Sequence, residues 1–434
     1  MGIYFGTDGL RGIYGEELTP SIAFKCGNSL SRFCENKKVV IGKDTRVTGD
    51  ILSLSMINGL MQNGVNCVDV GLLPTPAIAY ITKKEGADYG VMISASHNPP
   101  NYNGIKIFDK NGYKISEILE NSIERKFMFQ SSVVYNKIGR YSFKPNLLKK
   151  YIDFLNENSC SLDGLKIVLD CGNGACSHIA KKIFSEKGGK VISINDRTDG
   201  LSINEDSGAL HPLVMAETVK RKKADLGLSF DGDGDRIIAC DEDGTIIDGD
   251  DILFVLASQI KNINSVVGTS MTNKGLENAL KKKGISLLRA DVGDKYVIEK
   301  MKNKGISLGG EPSGHIIIGE KSTTGDALLV GLTLASIMKK SGKRLSKLIS
   351  YKKYPQINVN VEVNDKYRIL NSEKLTQEIL SLQKDFSNLG RVLVRASGTE
   401  NKIRIMCEHK SRLQALKSAQ ILESLVKNIN AASN

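Results

Sequence analysis

Residues 37–71, KKVVIGKDTRVTGDILSLSMINGLMQNGVNCVDVG, set out a pattern that the chain uses three times. The apolar, β-branched run 37–44 reads as a buried strand and 51–63 as a helix. Gly64 closes the helix, and NCVDVG reads as the next strand. The same order returns at 165–172 (LKIVLDCG), 177–187, Gly188 and KVISIN. It returns again at 265–270 (SVVGTS), 274–283, Gly284 and ISLLRA. Units of this kind build largely parallel sheets with helices on their faces. The predicted fold class is therefore α/β, with three similar mixed-sheet α/β domains. An Asp-capped helix in DGTIIDGDDILFVLASQIKN leads into the third of them. Beyond YPQINVNVEV the pattern changes: a helical run near 371–384, two alternating strands in GRVLVRASGTENKIRIMCEH, then an amphipathic helix from 411. This predicts a smaller α+β C-terminal domain, and the four domains divide at 1–150, 151–250, 251–360 and 361–434.

A chain of 434 residues exceeds the usual limit of one core, so several domains are expected. Apolar content of 41% and charged content of 25% are those of an ordinary globular protein. No apolar window of about eighteen residues occurs, and MGIYFGTDGLRG lacks a basic-then-apolar leader, so neither a membrane nor a secreted destination is expected. Eight cysteines (26, 34, 67, 160, 171, 176, 240, 407) form no CxxC pair. That predicts reduced cytoplasmic thiols and no zinc cluster. The net charge of +12 suggests anionic partners. Its lysines, however, are spread along helical runs such as LKKYIDFL and VKRKKAD, and aromatic residues are only 6%. Without a stacking platform the charge argues for solvated faces that steer small anions, and against nucleic acid.

Four loops carry chemistry. In LGLSFDGDGDRIIACDEDG, single glycines separate Asp231, Asp233 and Asp235 between two apolar runs. Three carboxylates so close raise one another's pKa unless a cation neutralises them, and an all-oxygen donor set suits Mg²⁺. The spacing imitates an EF-hand, but Arg236 stands where that loop needs glycine and the flanks are strand-like. In GVMISASHNPPNYNGIKIFD (90–109), Ser96 lies at the tip of a loop between two strands, with Pro99 and Pro100 restricting the backbone. Residues Ile93-Ser94-Ala95-Ser96-His97 are no GxSxG elbow, and neighbouring Ser96 and His97 make a poor nucleophile–base pair. The serine acquires a role only if another group activates or modifies it.

RASGTENKIR (395–404) offers Arg395, Ser397, Gly398, Thr399 and Arg404, an inventory suited to a phosphate. GGEPSGH (309–315) presents Glu311, Ser313 and His315 from one tight turn, suited to sugar hydroxyls or an amine. GHIIIGEKS has the wrong spacing for a P-loop, and the single G-x-G of DCGNGACS is a weak dinucleotide signal. Arg11 in FGTDGLRG adds a cation in a glycine-rich turn. One loop falls in each expected domain, and together they imply a metal, a serine, a sugar reader and a separate phosphate clamp. Two anion sites make sense if one phosphate anchors a sugar while another is transferred. A phosphorylated Ser96 would then donate its phosphoryl group and complete a Mg²⁺ shell with the three aspartates. That is the chemistry of a phosphomutase working through a bisphosphate.

FGTDGLRG (5–12), ISASHNPPNYNGIKIF (93–108), DGDGDR (231–236), GGEPSGH (309–315) with TTGD (323–326), and RASGTENKIR (395–404) occur in this order across nearly the whole chain. By these motifs the chain resembles the phosphoglucosamine mutases of the α-D-phosphohexomutase superfamily. The resemblance implies three α/β domains, a smaller fourth, and interconversion of glucosamine 6-phosphate and glucosamine 1-phosphate through an enzyme phosphoserine. Carried over by position, Ser96 is the phosphoserine. Its phosphate, Asp231, Asp233 and Asp235 are the Mg²⁺ ligands, and Arg11, His97 and Lys106 surround the transferring group. Arg236 faces the reaction centre, and Glu311 and Ser313 read the sugar, with His315 beside them. Arg395, Ser397, Gly398, Thr399 and Arg404 hold the phosphate that stays. Lys106, His97 and the more distant His315 are all candidates for acid–base work, and the sequence does not rank them. Glucosamine 1,6-bisphosphate is the implied activating donor, a small sugar phosphate the implied partner, and a homodimer the implied assembly. Pro312, Ala396, Asn401 and Lys295 depart from the usual residues of these motifs. The first bears on sugar preference, for which a phosphomannomutase/phosphoglucomutase of the same superfamily is the alternative. A non-catalytic anion-binding protein is the alternative from another class, and the acidic loop opposes it.

Overall fold

The three repeated units each become a sheet. The first sheet contains β1 (Phe5–Gly6), β2 (Gly9–Ile13), β3 (Lys38–Lys43), β4 (Asn66–Leu72), β5 (Tyr89–Ile93), β6 (Tyr102–Asp109) and β7 (Tyr141–Phe143), in the order β1-β2-β6-β5-β3-β4-β7. Pairing is parallel from β5 through β3 and β4 to β7 and antiparallel from β5 through β6 and β2 to β1. Helix Gly49–Met61 makes the crossover from β3 to β4. The second sheet contains β8 (Lys166–Asp170), β9 (Lys190–Ile194), β10 (Leu226–Phe230), β11 (Ile237–Cys240) and β12 (Ile246–Ile247), in the order β12-β11-β10-β8-β9. Here β10, β8 and β9 are parallel, and β10–β11 is the hairpin that carries the acidic loop. The third sheet contains β13 (Ser265–Thr269), β14 (Ser286–Ala290), β15 (Leu308–Gly310) and β16 (Ile316–Ile318), in the order β14-β13-β15-β16. The last sheet is antiparallel throughout: β17 (Gln356–Glu362), β18 (Gly390–Ala396) and β19 (Lys402–His409), ordered β17-β19-β18.

This computed structural model describes residues 5–6, 8–127, 138–397 and 400–431. They divide into two compact units, Met1–Thr269 with Leu288–Ile349, and Ser270–Leu287 with Ser350–Asn434. In the first, Val39, Ile41, Val91, Ile93 and Ile105 of the central strands pack with Leu52, Met56 and Leu60 of the crossover helix, all fully buried. In the second, the three-stranded sheet packs Ile403, Ile405 and Cys407 against Leu375 and Leu382 of helix Glu373–Phe386 and Leu422 and Val426 of helix Arg412–Ala431.

The Asp-capped helix is present as Gly249–Gln259. The Asp248 carboxylate accepts from the backbone N–H groups of Asp250 and Asp251, and the reciprocal half of the capping box is formed too. One segment differs from its sequence reading. YSFKPNLLKKYIDFLNENSCSLDG reads as a helix crossing from the first repeated unit to the second, yet Tyr141–Phe143 form β7 and the helix proper is Leu148–Glu157. Three residues carry no usable periodicity, and their state is decided by the free edge of β4 beside them. All eight cysteines are free thiols, and burial pushes those of Cys26 and Cys67 up to about 12. Among the described residues no helix is long and apolar enough to cross a membrane.

Candidate active site

Parallel strands direct their C-terminal ends to one side of a sheet, and the loops that follow them are where α/β folds place chemistry. Ser94–Ser96 follow β5, Asp44–Arg46 follow β3, Gly172–Gly174 follow β8, and Asp231 opens the loop after β10. These four turns meet. Ser96 is fully buried with a left-handed backbone (φ 51°), and its Oγ donates to Asp231 Oδ2 at 2.6 Å. His97 Nδ1 lies 3.4 Å from the same Oγ. Burial, then the charges of Arg236 and Arg11, push the His97 imidazole down to about 4.

The acidic loop keeps its shape through its own backbone. Asp231 Oδ1 accepts from the N–H groups of Asp235 and Arg236, and Gly234 takes φ 70° to make the turn. DCGNGACS supplies its floor. Ala175 N–H donates to Gly232 O at 2.8 Å, and a Cβ on Gly174 would stand 2.3 Å from that oxygen. The glycine pattern of this segment thus serves a backbone-to-backbone approach. Thr75, at the start of helix Thr75–Lys84, bonds the other side: its N–H reaches Asp233 O at 2.8 Å and its hydroxyl reaches the Asp233 carboxylate.

Asp231, Asp233 and Asp235 are almost completely buried, and they can offer one oxygen each within 4.8 Å of one another. Asp233 Oδ1 and Asp235 Oδ1 are buried and receive no hydrogen bond. Buried carboxylate oxygens without donors, in an all-oxygen set, fit a hard cation such as Mg²⁺. Positive charge already present is Lys106, fully buried on β6, with Nζ 2.8 Å from Asp233, 2.9 Å from Asp235 and 3.3 Å from Asp8. Burial works against the Lys106 ammonium, but Asp233, Asp235 and Asp8 outweigh it and hold the group protonated. Burial raises Asp231, reinforced by Asp235 and Asp233. For Asp235 the rise from burial is outweighed by Lys106, His315 and Arg236, and the carboxyl is held well below the usual range.

Arg11 donates to Asn98 Oδ1 at 3.1 Å and pairs with Asp8, which also pairs with Lys114. Lys114 reaches on to Asp294. His315 is buried. Its Nε2 accepts from Gly325 N–H at 3.0 Å, and its Nδ1 stands 3.8 Å from Asp235 Oδ1, so this histidine belongs to the surroundings of the acidic loop. Arg236 Nε is 3.8 Å from Asp235 Oδ1 and has no hydrogen-bond partner. Glu311 is buried and accepts from Gly293 N–H at 3.0 Å, whereas Ser313 is exposed on the same turn. Asp8, Arg46, Thr75, Lys114, Asn204 and Asp294 all take part in this network, and sequence reasoning singled out none of them. The only sequence signal for Asp8 was its place inside FGTDGLRG.

In the second unit, Arg395 and Arg404 are direct cross-strand partners on β18 and β19. Like charges so placed repel, and burial with Arg404 depresses the Arg395 guanidinium. Arg404 Nη2 donates to Ser397 Oγ at 3.2 Å, while its buried Nε has no partner. Two facing guanidiniums with spare donors suit a bound anion. Gly398 and Thr399, assigned to the same clamp, lie outside the described residues.

Four family models of phosphoglucomutase/phosphomannomutase match the chain: alpha/beta/alpha domain I over residues 2–132, domain II over 149–244, domain III over 248–354, and the C-terminal domain over 358–422. The chain is 41% identical to the phosphoglucosamine mutase of Alkaliphilus metalliredigens, with 98% of this chain and 99% of the relative covered. It is 46% identical to that of Caldanaerobacter subterraneus subsp. tengcongensis, with 98% and 99% covered. Among solved structures, a phosphoglucomutase/phosphomannomutase family protein of Burkholderia thailandensis superposes with a TM-score of 0.83 at 23% identity, covering 99% of this chain and 98% of the other. Aspergillus fumigatus N-acetylphosphoglucosamine mutase, solved with GlcNAc-6P and magnesium, gives 0.69 at 17% identity, with 99% and 96% covered.

Proposed function

The chain belongs to the phosphoglucosamine mutases of the phosphohexomutase family, and from that premise we propose that Ser96 carries the phosphoryl group that is exchanged with the sugar phosphate. The enzyme is an isomerase that interconverts glucosamine 6-phosphate and glucosamine 1-phosphate. The observation that carries the residue assignment is the meeting of Ser96 Oγ and Asp231 at 2.6 Å across 135 positions of sequence. A serine is presented to a buried carboxylate cluster with oxygens still unbonded.

In the cycle, a hydroxyl oxygen of the sugar monophosphate attacks the phosphorus on Ser96. The new P–O bond forms as the P–Oγ bond breaks, and the hydroxyl proton ends on Oγ. The product is glucosamine 1,6-bisphosphate. It reorients, and Oγ attacks the phosphorus of the other phosphate; the P–O bond to the sugar breaks as the Oγ proton passes to the sugar oxygen, restoring phosphoserine and releasing the isomeric monophosphate with no net phosphate consumed. Asp231, Asp233, Asp235 and the Ser96 phosphate would hold Mg²⁺, which when bound neutralises charge and polarises phosphoryl oxygens. Lys106 and Arg11 bring fixed positive charge to the transferring group, and His97 borders Oγ. Arg236, Glu311, Ser313 and His315 orient the sugar. Arg395, Ser397, Gly398, Thr399 and Arg404 hold the phosphate that is not in transit. The four-domain division 1–150, 151–250, 251–360 and 361–434 is supported by the matched ranges 2–132, 149–244, 248–354 and 358–422. The proposed setting is the cytoplasm, with a homodimer as the proposed assembly and glucosamine 1,6-bisphosphate as activating donor.

Intact mass before and after incubation with glucosamine 1,6-bisphosphate and Mg²⁺ tests the assignment. Unphosphorylated protein should gain one phosphoryl group and Ser96→Ala none. Equal phosphorylation of the variant would overturn the role of Ser96.

A further inference from the structure

Arg46, in the turn GKDTR after β3, is only 2% exposed and lies against the loop that carries Ser96. Its Nε donates to Asp44 Oδ2 at 3.0 Å. Its Nη2 donates to the carbonyls of Ser96 (3.0 Å) and Asn98 (2.7 Å), and its Nη1 to those of Tyr102 (2.8 Å) and Pro99. One guanidinium therefore gathers four backbone carbonyls of a single loop. From the second sheet's side, Asn204 Nδ2 donates to two of the same carbonyls, Ser96 O at 2.9 Å and Asn98 O at 3.0 Å. Asn204 is itself buried, and its N–H is tied to Gly172 O at 2.8 Å. The serine's amide is held as well: Ser96 N–H donates to Ser94 Oγ, whose hydroxyl donates to Asp44 Oδ2, the oxygen that Arg46 Nε also uses.

The loop needs such support for two reasons. Ser96 adopts φ 51°, which a non-glycine residue reaches only at a cost in free energy. Carbonyls that turn inward must also find donors, and Ser96, Asn98 and Pro99 lie between β5 and β6, off the sheet ladder that would supply them. Arg46 and Asn204 meet both needs with bonds to the backbone of Ser96, and none of their hydrogen bonds is to its Oγ.

We propose that Arg46 and Asn204 are positioning residues: together they hold the Ser96 loop in the strained shape that presents Oγ to the acidic loop, and the rate of phosphoryl transfer depends on them while sugar binding does not. The proposal rests on the reading of Ser96 given above. Arg46→Lys keeps a cation for Asp44 but cannot fork to four carbonyls. Asn204→Ala removes the side-chain amide that bonds Ser96 O and Asn98 O. We expect Arg46→Lys to lower kcat by about 10- to 100-fold and Asn204→Ala by about 5- to 10-fold, because small misplacements of a reacting atom cost rates of this order. KM should stay within about twofold for both. Hydrogen exchange across 94–104 in the free enzyme should quicken in each variant. The double variant should lose less than the product of the two single losses, because both residues bond the same two carbonyls.

Unchanged kcat in either folded variant, a rise in KM alone, or unaltered exchange across 94–104 would overturn the proposal. Multiplicative losses in the double variant would overturn the joint action. If Arg46→Lys does not fold, Asn204→Ala decides by the same criteria. Failure of the wild-type enzyme to take a phosphoryl group on Ser96 would refute the functional reading, and the exchange measurement would still judge the loop support.

Discussion

Lys106 is the buried charge on which the resting site most depends, so replacing it tests the electrostatic reading directly. Lys106→Met keeps the aliphatic stem and removes an ammonium that lies 2.8 Å from Asp233, 2.9 Å from Asp235 and 3.3 Å from Asp8. Taking one partner from a buried ion pair costs about 3–5 kcal/mol, because the other charge stays behind unpaired. At roughly 2 °C per kcal/mol for a unit this large, Tm in EDTA should fall by about 6–10 °C. Two rescues should follow. Mg²⁺ should restore more stability to the variant than to the wild type, approaching about 2.7 kcal/mol at a hundredfold excess over Kd, because the carboxylates have then lost their internal cation. Asp233→Asn in the same chain should also recover a large part of the loss, since it removes one of the stranded charges. Thermal unfolding of the three proteins with EDTA and with Mg²⁺ is the assay. A Tm for Lys106→Met in EDTA equal to that of the wild type would refute the reasoning, as would an identical response to Mg²⁺.

Burial pushes Asp326, which caps helix Ala327–Ser341 and accepts from Tyr151 OH at 2.8 Å, up to about 6. Its stabilising, protonated form is fully present below the ordinary carboxyl value of 3.8 and is lost as pH rises through about 6. Asp326→Asn, which keeps the cap without the charge, should therefore match the wild type near pH 4 and exceed it by up to about 3 kcal/mol at pH 8 in urea unfolding. Equal destabilisation at both pH values would contradict this. Gly174→Ala would place a Cβ 2.3 Å from Gly232 O, so it should cost about 1–3 kcal/mol and weaken Mg²⁺ binding by calorimetry. Unchanged Mg²⁺ affinity would show that the floor of the acidic loop does not matter.

What the sequence made legible, and what it hid, divides along a physical line. Strand–helix–glycine–strand patterning located the repeated sheets because burial of one helix stripe and of whole strands leaves a hydrophobic period. The loops were legible where side-chain chemistry is concentrated, as in Asp231, Asp233 and Asp235. Arg46 was not, because its partners are carbonyls, and every residue has one. Thr75 and Asn204 were missed for the same reason: each acts through a hydrogen bond set by the approach of two chain segments. DCGNGACS, set aside as a weak dinucleotide signal, has a role that its sequence did not show. Its glycines imitate a phosphate-binding turn, but their function is to let Gly174 pass against Gly232. RASGTENKIR was legible as an inventory of residues suited to a phosphate, Arg395 and Arg404 among them. The strand register adds that these two face each other, so each raises the cost of the other's charge.

Repetition of one strand pattern explains why a single site can draw on distant parts of the chain. Each parallel strand releases its loop at its C-terminal end, and loops after β3, β5, β8 and β10 are brought together when two such sheets set those ends toward each other. Among the described residues the bonds between the sheets are specific: Ser96 Oγ to Asp231, Asn204 to the Ser96 loop, Thr75 to Asp233, Thr45 Oγ to Asn173 O at 2.7 Å, and Lys106 to the acidic loop. Nearly all run to or from the two loops that the proposed phosphoryl transfer brings together. Groups that join the sheets therefore also set the distance between serine and carboxylates. A change that loosens the junction should appear first in the rate of transfer, before it appears as loss of fold, because the cores of the two sheets lie elsewhere.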